Sequence, residues 1–229
     1  MSDEEQQLSI ITLVEKQKRG RHRYNIFLND EYAFSVHEDI MIKHRLLKGE
    51  MIDPEQMAVI LRDEERNNAY TKALRMIGRR QHSSSEVKRK LKEHGFEPPI
   101  IQWTCDTLEQ QKYINDEEFA KMWTEHRIYS QRKGRNLVRQ ELQQKGIHKE
   151  LVQGAMQTID PDEELQGALK VARTKWKQTS GETIDKKRKT AAFLMRRGYT
   201  GSVVSKVLKE LNEGSDDEEV ELFEDSYDY

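Results

Sequence analysis

The heptapeptide ELQQKGI (141–147) places a leucine four residues before a glycine, which is a common way for an α-helix to end. The same pair stands in KLKEHGF (90–96) and FLMRRGY (193–199), so the three glycines are separated by 51 and 52 residues. Apolar residues also recur six, ten and thirteen positions after each glycine. A helix, a glycine stop and a second helix are therefore predicted three times, with a period of about 50 residues.

Each of these helix pairs is preceded by another segment with helical periodicity, at 69–79, 117–129 and 163–177. The chain is thus predicted to be mainly α-helical, with three tandem three-helix repeats in an extended array, because each small unit would contact mainly its neighbour. Asn115 and Asp160 support this division, since their side chains can accept hydrogen bonds from the free N–H groups of the helices that follow.

The predicted domain boundaries follow the repeat. A β-rich N-terminal extension with a short helix covers 1–52, and a helical leader with the first three-helix module covers 53–112. The second module covers 113–159 and the third covers 160–212. An acidic segment, 213–229, is predicted to be a disordered tail.

The N-terminal extension contains two β-rich runs separated by Asn29-Asp30, which predicts a hairpin within a small β meander. A two-residue turn would place Ile26 and Ala33 on one face of the sheet and Phe34 on the opposite face. Both faces would then carry apolar side chains, so the register stays open and the sheet is expected to pack against a helix.

The composition is unusually polar, with 35% charged, 35% hydrophobic and only 7% aromatic residues. Several small helical units are favoured over one large core. The formal net charge of −2 conceals an asymmetry: residues 213–229 hold nine acidic and no basic residues, while the rest of the chain holds 39 basic and 32 acidic residues. A basic body indicates a polyanionic partner. The acidic tail would compete with that partner, or alternatively would only improve solubility.

The sequence contains no recognisable catalytic, cofactor-binding or metal-binding motif. The acidic run at 116–118 lies in a first helical turn, where the helix dipole explains it without a metal ion. Cys105, the only cysteine, falls on the apolar side of its helix and is expected to be buried and inert. The single cysteine, the absence of a signal peptide and the absence of any apolar segment of about 18 residues predict a cytoplasmic protein without membrane contact.

Three basic clusters accompany the three modules. Residues 72–94 carry eight basic and two acidic side chains, residues 120–149 carry eight and two, and residues 170–197 carry ten and two. In the middle cluster Arg135 and Arg139 lie one helical turn apart and share a polar face. One basic helix is usually a solvated face, but three in the same orientation favour binding of a polyanion or an acidic surface. The candidate binding residues are Arg79, Arg80, Lys88, Lys92, Arg132, Lys133, Arg135, Arg139, Lys186, Lys187, Arg188, Arg196 and Arg197.

Four stretches resemble the bacterial recombination regulator family RecX: HSSSEVKRKLKEHGF (82–96), YINDEEFAKMW (113–123), RKGRNLVRQELQQKGI (132–147) and FLMRRGYTGSVVSKVL (193–208). The likeness covers roughly residues 66–211 in the correct order. It implies tandem three-helix repeats, no catalytic activity, and binding to the RecA–DNA filament with modulation, usually inhibition, of RecA ATPase and strand exchange. The resemblance therefore implies a role in recombination, DNA repair and the SOS response.

The resemblance also implies which residues bind. The cations at positions 132, 133, 135 and 139 match positive positions in the central motif of the family, whereas Lys88 and Lys92 follow only through the internal repeat. The KKRK run at 186–189 departs from the family pattern of a capped helix start, which puts the third module in doubt. A monomer that contacts RecA together with single-stranded and also double-stranded DNA is expected, without a cofactor.

Two other classes of function stay open on the sequence alone. A stand-alone DNA-binding protein would also use short basic helical modules and would need no RecA. A protein-interaction scaffold would ignore DNA and bind with weak salt dependence. DNA titrations at two salt concentrations, with and without RecA, separate the three.

Overall fold

The computed structural model describes residues 8–20 and 22–224. The chain divides into two compact units: the first comprises residues up to His82 together with Val87–Ile114, and the second comprises Ser83–Glu86 together with the chain from Asn115 onward. Among the described residues, no helix combines the length and apolarity that crossing a membrane requires.

The first unit begins with a four-stranded antiparallel sheet in the order β3-β2-β1-β4. The elements are β1 (Ser9–Lys16), β2 (Arg23–Leu28), β3 (Glu31–His37), α1 (Glu38–Lys43) and β4 (Met51–Ile52). The buried face of the sheet packs against α1 and the first half of the next helix, as expected for a small sheet that cannot be stable alone.

The hairpin predicted at Asn29-Asp30 is confirmed, and both residues have the positive φ angles (50° and 67°) that a tight two-residue turn of this hand requires. The register, which the sequence left open, is set by an irregularity in the strand pairing. Ile26 pairs with Phe34, and both are buried, because the register shifts between Ile26 and Phe27 and leaves Ala33 unpaired and exposed. One extra residue in a strand moves every later side chain to the other face.

Helix α2 (Pro54–Ile77) joins the sheet to the first three-helix module as one continuous helix of 24 residues. It begins with a capping box, in which the Asp53 side chain accepts from the backbone N–H of Gln56 and the Gln56 side chain accepts from that of Asp53. Ile60 on α2 packs into the sheet core, whereas Ala69 packs with α3 (Ser84–Glu93) and α4 (Pro98–Gln110).

The second unit contains the second and third modules. The second module is built from α5 (Asp116–Glu125), a π-helical turn (His126–Ser130), α6 (Arg135–Gln144) and α7 (Lys149–Gln157). The third is built from α8 (Pro161–Gln178), α9 (Thr183–Arg196) and α10 (Gly201–Glu224). The predicted caps are confirmed, since Asn115 accepts from the N–H groups of Glu117 and Glu118 and Asp160 accepts from that of Asp162.

The glycine repeat is confirmed in its local geometry. Gly95, Gly146 and Gly198 have φ angles of 84°, 74° and 88°, which favour glycine and end the preceding helices. The leucines four residues earlier are fully buried in the three module cores, and so is Cys105. The predicted class, mainly α with three three-helix repeats after a small β element, is therefore confirmed.

The segment 213–229 was predicted to be a disordered tail, but its backbone is helical as far as Glu224. Helix α10 continues to Glu224, because adding a residue to an existing helix forms a hydrogen bond without a new nucleus. Residues 225–229 and the side chains from 214 onward lie outside the described residues, as does the predicted competition of this tail with a polyanion.

Candidate anion-binding surfaces

Arg135, predicted to bind a polyanion, is paired with a buried carboxylate of the second unit. Its guanidinium Nε donates to Glu164 Oε2 (2.7 Å), and its backbone N–H donates to Glu164 Oε1 (3.0 Å). Glu164 lies in the first turn of α8 and is 1% exposed. Because Gly134 offers no side-chain cap to α6, this carboxylate from the next module caps the helix instead. Arg135 therefore has a buried ion-pair partner, while its partly exposed side chain also lines the groove between α6 and α7.

Lys133 is also engaged within the second module. Its Nζ lies 2.6 Å from Glu141 Oε1, while Trp123 Nε1 donates to Glu141 Oε2 (3.0 Å) and the Arg127 guanidinium lies 2.9 Å from the same oxygen. Burial acts to raise the pKa of Glu141, but the hydrogen bonds from Lys133 and Trp123 and the charge of Arg127 outweigh it, so the pKa is lowered. The Lys133 charge is thus neutralised by the protein itself.

Arg132 and Arg197 meet at the connection between the second and third modules. Arg132 has a φ of 50°, and its carbonyl oxygen accepts from Arg197 Nη2 (3.0 Å) and from the Tyr199 hydroxyl (2.7 Å). Burial raises the pKa of Tyr199 to about 12, so its hydroxyl stays protonated and able to donate. The predicted binding residue Arg197 therefore has a structural contact.

The same connection depends on two glycines in close approach. The Gly134 N–H donates to the Arg197 carbonyl (2.8 Å), and the Asn136 N–H donates to the Gly198 carbonyl (3.0 Å). A Cβ on Gly134 would overlap the backbone of Gly198 and Tyr199. The start of α6 is thus docked directly on the glycine turn between α9 and α10.

Arg139 remains available, one turn beyond Arg135 on α6. It is exposed and makes only a 3.3 Å hydrogen bond to Asn136 Oδ1. With the exposed Lys149 of α7 it borders a groove of about 610 Å³, which we call the α6–α7 groove. The side chains of Gln143, Gln153 and Gln157 also line it, its apolar lining includes Val152 and Met156, and no carboxylate of the described chain lines it.

The third module presents its predicted cations on α9. Arg196 is exposed, and Lys186 and Lys187 are half-buried; none of the three forms an ion pair within the described part of the chain. Arg188 lies 3.1 Å from Asp185, at a spacing of three residues on the same exposed helix turn. This cluster is an open basic surface, in which one of the four charges is locally compensated.

The first module divides its predicted cations between two places. Lys88 donates to Gln102 (3.3 Å) and Lys92 is exposed on α3. Arg79 and Arg80, after the end of α2, line a groove within the first unit that is larger than the α6–α7 groove. Arg80 Nη1 also donates to the Gln81 carbonyl (2.8 Å).

The structure therefore separates structural cations from available ones. Lys149 was missed, although it stands at the start of a predicted helix in a cluster whose excess of basic residues was recognised. The sequence does not show which side of a helix is covered by a neighbouring module, so it could not distinguish covered cations from exposed ones. No group of three or more His, Cys, Asp or Glu side chains suited to a metal ion occurs among the described residues.

The family models that match the chain follow the order of the sheet and the three modules described above. The chain matches the regulatory protein RecX N-terminal domain at residues 9–53. It matches the first, second and third RecX three-helix domains at residues 69–108, 115–156 and 162–208. The third match includes the KKRK run, so the departure at that helix start does not remove the third module from the family pattern.

Individual relatives agree with the family models. A regulatory protein RecX from Halalkalibacterium halodurans is 33% identical over 217 residues, covering 93% of this chain and 82% of the relative. One from Bacillus cereus is 31% identical over 216 residues, covering 92% and 80%. A crystal structure of a regulatory protein RecX superposes with a TM-score of 0.71 at 29% identity over 87% of this chain and 98% of that chain.

The crystal structure of RecX from Lactobacillus salivarius, at 18% identity, shares the fold with a TM-score of 0.62, covering 66% of this chain and 98% of that one. Four consecutive domain matches and a relative 33% identical over nearly the whole chain leave one assignment. The chain belongs to the RecX family of regulatory proteins.

Proposed function

We propose that this chain regulates homologous recombination by binding the RecA–DNA filament and inhibiting its DNA-dependent ATP hydrolysis and strand exchange. Family membership supports a regulatory rather than a catalytic role. The α6–α7 groove supports contact with phosphates or an acidic protein surface, because Arg139 and Lys149 border it and no described carboxylate lines it. The protein acts in the cytoplasm as a monomer and without a cofactor.

A repeated binding protein suits a repeated target. Three modules can each make a weak contact with successive protomers, and linked weak contacts raise the overall affinity without any one being strong. A ligand that prefers one state of the filament shifts the filament population towards that state. A bound copy can thereby influence more RecA protomers than it touches.

The first expected result is inhibition below stoichiometry. With cognate RecA on single-stranded DNA, the ATPase rate should fall when this protein is present at fewer copies than RecA, and the protein alone should hydrolyse no ATP. The measurement is a coupled ATPase assay titrated from well below one copy per RecA. An unchanged rate up to equimolar protein would refute the proposal and favour a stand-alone DNA-binding function.

The second expected result concerns the α6–α7 groove. The variant R139E/K149E should bind the RecA–DNA filament more weakly, and the slope of log affinity against log salt should be smaller by about 1.5, since each lost phosphate contact contributes about 0.7 to 0.9. Filament co-sedimentation at several salt concentrations measures both quantities.

The matched control is K48E/R62E, which reverses two exposed charges outside the three basic clusters and outside both grooves. It should retain the affinity and slope of the unaltered protein, because the net charge is the same as in the groove variant and only the location differs. Equal weakening by both pairs would mean that net charge, rather than this groove, governs filament binding.

A further inference from the structure

The first unit contains a groove of about 950 Å³, which we call the sheet–helix groove. It is lined by the start of β2, the end of β3, the C-terminal half of α2 with the turn after it, and α3 with its glycine turn. Only Arg79 and Arg80 of its lining were among the predicted binding residues. The groove is separate from the α6–α7 groove and lies wholly within one compact unit.

The lining is one-sided in charge. It includes six arginine or lysine side chains and four imidazoles, and no Asp or Glu among the described residues lines it. Lys72, Arg75, Arg79 and Lys90 form no ion pair within the described part of the chain. Like charges that line one groove repel one another, and a bound anion would offset that repulsion.

Three of the cations form a line along α2 and the turn that follows it. Lys72, Arg75 and Arg79 are three and four residues apart, which places them on one side of a helix. They span about 10 Å at 1.5 Å per residue. A stacked strand with the axial spacing of duplex DNA carries about three phosphates in that length, and a more extended single strand carries fewer. Their position at the C-terminus of α2 is also the end at which the helix dipole favours positive charge.

The buried carboxylate of Glu64 links the elements that form the groove. Its Oε1 lies 2.8 Å from Arg23 Nη1 and accepts from Asn68 Nδ2 (3.0 Å), and its Oε2 accepts from the His37 backbone N–H (2.8 Å). These contacts tie β2 and β3 to α2. A site that exists before binding costs less ordering when the ligand arrives.

The remaining lining suits a single strand better than a duplex. Asn67 offers an amide group for base edges, whereas the Asn68 amide is engaged by Glu64 and Arg23. Phe96 and the imidazoles of His22 and His94 offer flat rings. A basic groove with such rings is the usual arrangement for single-stranded nucleic acid. Duplex DNA is instead read by elements that protrude into its grooves.

The geometry points to the sheet–helix groove as a binding site for the phosphate backbone of single-stranded nucleic acid, used without RecA. Lys72, Arg75, Arg79 and Lys90 contact the phosphates, and the amide and ring groups face the bases. This site goes beyond filament regulation, because it would let the protein bind single-stranded nucleic acid directly, at a location separate from the α6–α7 groove.

The test compares two triple variants of the full chain binding to oligothymidylate in the absence of RecA. K72Q/R75Q/R79Q removes three groove charges, whereas K48Q/R62Q/K112Q removes three exposed charges of the same unit outside the groove. The groove variant should lose affinity, and its salt slope should fall by about 2, since three contacts to a single strand contribute about 0.7 each. Raising the salt from roughly 50 to 200 mM weakens binding of both proteins. The factor by which the groove variant weakens should be about 15-fold smaller than the factor for the unaltered protein.

Amine-reactive labelling of the unaltered protein locates the strand independently of any variant. Bound oligothymidylate should protect Lys72 and Lys90 while leaving Lys48 and Lys112 reactive. Far-UV circular dichroism of both variants establishes that each is folded before its affinity is compared.

Three outcomes would overturn the assignment. The first is equal affinity and slope for the two triple variants. The second is displacement of the oligonucleotide by polyglutamate of matched charge, which would assign the groove to an acidic protein surface. The third is binding of duplex DNA through the same residues with equal affinity. RecA is absent from every arm, so these results are independent of the RecA ATPase test.

Discussion

Replacing Arg135 by alanine is expected to lower the free energy of unfolding by about 3 kcal/mol, because it leaves the buried carboxylate of Glu164 without its charged partner. The guanidinium Nη2 lies 2.6 Å from Glu164 Oε2, and the Glu164 side chain is fully buried. An unpaired charge cannot regain its water there. Urea unfolding followed by circular dichroism and tryptophan fluorescence measures the loss.

The matched control is R139A, the same change one turn along the same helix. Arg139 is exposed, so its removal should alter stability by no more than about 0.5 kcal/mol. E164Q keeps an oxygen that can accept from the Arg135 N–H but removes the charge, and R135A/E164Q should therefore lose less stability than the two single changes summed. Equal stability of R135A and R139A would show that the ion pair contributes nothing to the fold.

Replacing Gly134 by alanine is expected to cost about 3 kcal/mol, because the new methyl group has no space at the junction of the second and third modules. Gly134 has an ordinary φ of −79°, so the cost comes from overlap rather than from backbone strain. The neighbouring atoms belong to the backbone of Gly198 and Tyr199, which cannot move aside as a flexible side chain would. The hydrogen bond from the Gly134 N–H to the Arg197 carbonyl would also be distorted.

The control is G154A, in the middle of α7, where an added Cβ meets nothing within 4 Å. Alanine should stabilise a helix interior by about 0.5 to 1 kcal/mol relative to glycine, so the two substitutions are expected to have opposite signs. Urea midpoints of both variants give the comparison. A stable G134A variant would contradict the direct backbone docking of α6 on the turn between α9 and α10.

Features set by local chemistry were predictable from the sequence. Gly146 ends α6 in a left-handed conformation, Asp53 and Asn115 cap the helices that follow them, and Asn29-Asp30 closes a hairpin. Each depends on a few neighbouring residues and on backbone geometry that does not require a distant partner. The threefold repeat of such signals was sufficient to predict the helical architecture.

The candidate sites were less predictable, because charge counts do not reveal partners. Arg135 and Arg139 look alike on a helical projection, yet only Arg135 meets Glu164, which is 29 residues later in the chain. On α3 the internal repeat favoured Lys88 and Lys92, whereas packing turns Lys90 towards the sheet–helix groove. The excess of positive charge was visible in the sequence, but its division between internal ion pairs and open surfaces was not.

The helix ends, the module period and the basic character of the body follow from residue type and spacing, so they could be predicted without the fold. Tertiary structure alone decided the hairpin register, where one unpaired residue at Ala33 reverses the facing of the strand. It also decided that Glu164 caps α6 from the next module and that Lys72, Arg75, Arg79 and Lys90 share one groove. The physical reason is the same in each case: a side chain takes its role from whichever group the folded chain brings within a few ångströms of it, and sequence spacing constrains that only within an element.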